Sequence, residues 1–94
     1  MALARVVTFD GVSTDRMNEM DREMQSGEPP EGFPSAELIA LHDPEAEKSL
    51  VIVILENEDD YRKADEILSG MPAGDTPGQR TSVTKYNVAS RMKS

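Results

Sequence analysis

The 94-residue chain contains no cysteine, no tryptophan and a single histidine, and its only other aromatic side chains are two tyrosines and two phenylalanines. Without cysteine there is no disulfide, no thiolate metal ligand and no cysteine nucleophile. One histidine rules out a zinc site built on a His pair, and neither a glycine-rich phosphate loop nor a serine-centred nucleophile elbow occurs. Basic charge is also scarce: 10 Lys and Arg stand against 18 Asp and Glu, a formal charge of −8. Such a field repels nucleic-acid phosphates and anionic lipid headgroups. The longest apolar run, Leu50 to Leu55, is far short of the roughly 20 residues that cross a bilayer. Met1 to Arg5 lacks the pattern of a signal peptide, so a cytoplasmic protein that enters no membrane is the default expectation.

Of the residues, 37% are hydrophobic and 30% charged, a globular balance with enough apolar material to fold. The length suits one domain spanning 1–94, with a modest core that removes roughly 60–65% of the unfolded chain's surface from water. Residues 4–10 read as a strand because Val6, Val7, Thr8 and Phe9 are β-branched or aromatic, and Asp10-Gly11 closes it. Ser13 then caps a helix, with Asp15 in its first turn and Val12 stapled onto Met17. Gly27 and Pro29-Pro30 stop it. Residues 35–43 and 48–56 read as two strands of a hairpin. Asn57 caps a second helix in which Tyr61, Ala64, Ile67, Leu68 and Met71 recur at helical spacing, and Gly70 and Pro72 end it. After a Pro/Gly loop, residues 80–89 form a last strand. The expected fold is α+β, in the ferredoxin-like βαββαβ order: a four-stranded antiparallel sheet with two helices on one face.

A sheet covered on one side alternates apolar and polar residues. Leu50-Val51-Ile52-Val53-Ile54-Leu55 is instead apolar at both parities. The strand before it places Leu38 and Ala40 on one side and Ile39 and Leu41 on the other. The second face therefore calls for a cover, and no residues remain to build another layer from the same chain. A homodimer joined sheet to sheet is the expectation, burying roughly 1,200–2,000 Å² or more.

With this order and this doubly apolar strand, the chain resembles the dimeric α/β-barrel superfamily, which includes the antibiotic-biosynthesis-monooxygenase-like proteins. The resemblance spans most of the chain. It is carried by Pro30-Glu31-Gly32-Phe33, the Asp43 turn, the run from Leu50 through Asp60, and Arg80-Thr81-Ser82-Val83 through Tyr86-Asn87-Val88. It implies two ferredoxin-like subunits paired into a barrel, with a cleft between sheet and helices that in some members holds a substrate or haem. It also implies that cofactor-free oxygenases and haem-degrading enzymes are among the relatives. The Asn, Trp, Tyr or His side chains on which the oxygenases lean have no secure counterparts here.

His42 is the one side chain that ordinarily titrates near neutrality, and Asp43 beside it can orient the ring. Met17, Met20 and Met24 lie on one helix face, as core or as the adaptable lining of an apolar pocket. Tyr86 and Asn87 point to opposite faces of the last strand, so at most one of them enters a given cavity. The acidic group Glu56, Glu58, Asp59 and Asp60 lacks the spacing of a calcium loop and suits the first turn of a helix. His42, Tyr86, Met17, Met20 and Met24 are thus the candidate ligand-binding residues; no catalytic residue is assigned, and neither metal nor cofactor is expected. The leading expectation is a homodimer that binds a small, largely apolar molecule between sheet and helices, with no nucleic-acid partner. A cofactor-free monooxygenase using His42 or Tyr86 and a purely structural or regulatory dimerisation module are the alternatives.

Overall fold

The computed structural model describes residues 2–27, 31–70 and 76–92. Its elements run β1 (Leu3–Asp10), α1 (Thr14–Ser26), β2 (Ala36–Asp43), β3 (Lys48–Leu55), α2 (Glu58–Ser69) and β4 (Gln79–Asn87). The strands form one antiparallel sheet in the order β2-β3-β1-β4. This is the ferredoxin-like arrangement expected from the sequence. Pro29, Pro30, Met71 and Pro72, read above as helix stops and helix positions, lie outside the described residues.

Each helix begins where its cap dictates. The Ser13 hydroxyl accepts from the Arg16 backbone N–H, and the Asn57 side chain accepts from that of Asp60, occupying N–H groups that have no partner in a helix's first turn. Val12, fully buried, packs with Val7, Phe9 and Met17 as the staple requires. The strands end where their partners do. Residue 36 faces Leu55, the last residue of β3, and Asn87 faces Leu3, the first of β1. The last strand occupies 79–87 rather than 80–89, and a single further backbone bond, from the Val88 N–H to the Ala2 carbonyl at 2.9 Å, follows its end.

The sheet's helix side carries Leu3, Arg5, Val7 and Phe9 from β1 and Ser49, Val51, Val53 and Leu55 from β3, all of them buried except the half-buried Val51. Two clusters of buried residues make up the core. Leu3, Val53 and Leu55 pack with Tyr61 and Ala64 of α2, Val7 and Phe9 pack with Val12, and the half-buried Val51 packs against both. Between Leu3 and Val7 the helix-side position on β1 is taken by Arg5.

On the opposite face the register aligns Ile39, Ile52, Val6 and Thr84 across the four strands. Flanking rows are Glu37, Ile54, Ala4 and Tyr86, and Leu41, Leu50, Thr8 and Ser82. Among the described residues no helix packs on this face. Ile39 is 36%, Leu41 52% and Tyr86 55% exposed.

Two links fix the sheet's ends. Val12 donates its N–H to the Glu47 carbonyl at 2.7 Å and its own carbonyl accepts from His42 Nε2 at 2.9 Å, so the start of α1 is tied twice to the β2–β3 hairpin. At the same end Gly78 passes so close to β1 that a Cβ there would lie 2.4 Å from the Asp10 carbonyl oxygen and 2.9 Å from Val12 Cγ2. Both obstacles belong to a rigid region, so Gly78→Ala is expected to destabilise the fold by about 1–3 kcal/mol through overpacking, read as a lower urea midpoint with an unchanged denaturant slope.

Burial, and after it the nearby Asp65 charge, raise the Tyr61 phenol above its ordinary value of 10.0. The folded state then holds this proton more tightly than the unfolded chain does. The stabilisation is complete below about pH 10 and is lost as pH climbs through the folded-state value. Urea midpoints measured from about pH 9 to pH 12 should fall in the wild type and fall less steeply in Tyr61→Phe.

Candidate functional site

Between the two halves of the core lies a cavity of about 110 Å³, lined by both sheet and helices. Its walls are Val7 and Phe9 of β1, Val51 and Val53 of β3, Met20 and Met24 of α1, Leu68 of α2 and Pro77. Val51, which packs against both clusters, forms part of its wall. Thioethers suit such a space, since an unbranched methionine repacks around irregular shapes at little cost.

Two cations enter this apolar lining. Arg5 is 4% exposed; its Nε donates to Asp65 at 2.9 Å and its Nη2 to the Ser69 hydroxyl at 3.4 Å. Both acceptors sit on α2. The Asp65 side chain is 43% exposed, so the pair joins a buried guanidinium to a carboxylate still in contact with water. Arg80 is the second cation, and it reaches the cavity through an irregularity in β4. The ladder runs Val83 opposite Val7 and Ser82 opposite Thr8, then skips Thr81 and resumes with Arg80 opposite Phe9. The extra residue is a β-bulge, which changes the side to which the following residue points. Strict alternation would have put Arg80 on the bare face.

The structure brings together some of the candidate residues and separates others. Met20 and Met24 line the cavity, while Met17 packs against the Val7, Phe9 and Val12 cluster. Tyr86 stands on the uncovered face, opposite Ala4. His42 is at the far end of β2, beside an open groove of about 530 Å³ that it shares with Thr8, Leu41, Asp43, Lys48 and Leu50. Because its acceptor is a carbonyl, the His42 Nε2 carries the hydrogen, which it does in either charge state. The floor of that groove, Thr8, Leu41 and Leu50, is a row of the uncovered face, with Asp10, Lys48 and Asp43 beyond it.

The acidic residues at α2 are engaged with neighbouring cations: Glu58 with Lys85, Asp59 with Arg62 and Glu56 with Arg91, which also pairs with Glu37. Asp60 receives the side-chain amide of the capping Asn57. Lys85 also lies 5.0 Å from the centre of the Tyr61 ring, a cation–π distance. Among the described residues no group of three or more His, Asp or Glu is placed to hold a metal ion, and no helix is long and apolar enough to cross a membrane.

Arg5 and Arg80 did not emerge from the sequence as candidates. Arg5 carries a readable signal, a lone charge at the buried parity of an otherwise apolar strand. Arg80 carries none, because only the bulge turns it inward. Compared with known proteins, the chain matches no family model, no curated protein and no solved structure.

Proposed function

We propose that the protein is a homodimer of the dimeric α/β-barrel type that binds a small, largely apolar molecule in the cavity between its sheet and its helices. The cavity carries this reading. It lies between sheet and helices, it is bounded by eight apolar residues from β1, β3, both helices and the segment before β4, and its flexible wall is methionine.

The dimer is supported by the bare face of the sheet. Four strands spaced about 4.8 Å apart and about 26 Å long present roughly 500 Å². Two such faces together remove about 1,000 Å² from water, below the roughly 1,200–2,000 Å² of a standard interface and at the minimum for a specific one. The centre of the patch, Val6, Ile39, Leu50, Ile52 and Ile54, is aliphatic, and isolated monomers seldom expose a contiguous surface of that kind. A second copy offers the same aliphatic surface to it. The open groove beside His42 shares this face and would be narrowed by the partner.

A cofactor-free oxygenase would need His42 or Tyr86 against its substrate, and neither lines the cavity. Binding is therefore the activity that this geometry favours.

Light scattering after size exclusion, at micromolar concentration, should give twice the 10.3 kDa chain mass. Ile52→Lys, which places a charge in the middle of the patch, should give a folded monomer. A wild-type monomer would remove the dimer. For the cavity, methyl-labelled methionine spectra titrated with benzyl alcohol should move the Met20 and Met24 resonances and leave Met92, 93% exposed, in place. Unmoved Met20 and Met24 signals would remove the ligand site.

A further inference from the structure

We propose that the cavity selects anions: its ligand is a small carboxylate whose apolar body is no larger than about one six-membered ring, with the carboxylate held by Arg5 and Arg80. This rests on the reading of the cavity as a ligand site and adds the chemical class of what it holds.

Among the described residues the lining consists of apolar side chains, Thr76 and two arginines, with no acidic residue. That composition is unusual in a chain whose formal charge is −8. Acids outnumber bases over the molecule as a whole, yet this cavity between sheet and helices has two arginines in its wall. A concave, low-dielectric space with one sign of charge concentrates ions of the other sign.

The two arginines reach it at a structural cost. Arg5 takes a core position on β1, and desolvating a guanidinium is unfavourable by several kcal/mol unless it is paired. Its pairing uses Nε and one hydrogen of Nη2, whereas a guanidinium has five donors. No partner of Nη1 is found among the described residues. Arg80 makes no ion pair among the described residues, although exposed acids are abundant. It comes to the cavity through the Thr81 bulge, which gives up regular pairing at that point. Cations retained under such conditions match what a carboxylate needs, since the planar guanidinium donates two parallel hydrogen bonds to it.

The remaining walls set the body of the ligand. Val7, Phe9, Val51, Val53, Met20 and Leu68 offer no hydrogen bonds, so the part of the molecule beyond its head is hydrocarbon. A dry apolar cavity of about 150 Å³ accommodates benzene; one of about 110 Å³, open on one side, accommodates a ring or a short branched chain with its head at the mouth.

The test compares benzoate with benzamide, which has the same shape and no charge, by following the Met20 and Met24 methyl resonances of the full chain near pH 7. Benzoate should bind at least tenfold more tightly than benzamide, and should weaken as salt is raised from about 0.05 to 0.5 M. Arg80→Gln changes an exposed side chain and should fold, as circular dichroism will verify. It should lower benzoate affinity at least fivefold and leave benzamide unchanged. Equal binding of the two probes, or benzoate binding that is indifferent to Arg80→Gln, overturns the anion assignment while leaving the cavity as a site for neutral molecules. If neither probe moves either methionine, the assignment falls together with the ligand site itself.

Discussion

A charged side chain at the centre of an apolar strand face is the constraint on which this structure turns. Arg5 sits on β1, which is paired on both edges and lies beneath both halves of the core. A guanidinium there stands opposite the buried Val53 of β3 and holds α2 through Asp65 and Ser69. It gives a positive wall to the cavity that lies beside the two core clusters. The arrangement depends on a paired charge: without Asp65 the buried guanidinium would keep only the Ser69 hydroxyl as its partner on α2.

The second constraint is that the sheet has two faces and the chain has helices for one. Alternation puts Val51, Val53 and Leu55 of β3 toward the helices, and the same geometry presents Leu50, Ile52 and Ile54 on the other side. Neither set can be turned inward without turning the other outward. The chain's stability and its state of association are thereby joined: the small core that a 94-residue domain can assemble is supplemented by whatever area the uncovered face removes from water.

Much of this was legible in the sequence because it depends on local rules. Ser13 and Asn57 announce their helices through capping chemistry, and both cap as expected. The doubly apolar β3 announces a sheet with two apolar faces. The methionine row on α1 announces a shared face, although only the register of the whole fold shows that Met20 and Met24 meet the cavity while Met17 meets the core. What escaped depends on exceptions to periodicity. A bulge has no signature in the Gln79 to Asn87 composition, so Arg80 reads as pointing the wrong way. His42 attracts notice by its chemistry, yet its observed bond is to the Val12 carbonyl thirty residues away, a contact fixed by how the hairpin folds over the β1–α1 turn.

The placement of Arg80 on β4 has a consequence for motion. This strand is an edge, hydrogen-bonded only to β1, and every one of its nine residues is exposed. Segments with few buried contacts are the first to open in native-state fluctuations, with free energies well below that of global unfolding. A molecule gripped by Arg80 adds its binding free energy to the docked form of the strand and nothing to the detached form. Occupancy of the interior and fraying of the border are then two readouts of one equilibrium, and amide protection along β4 would report on what the protein holds.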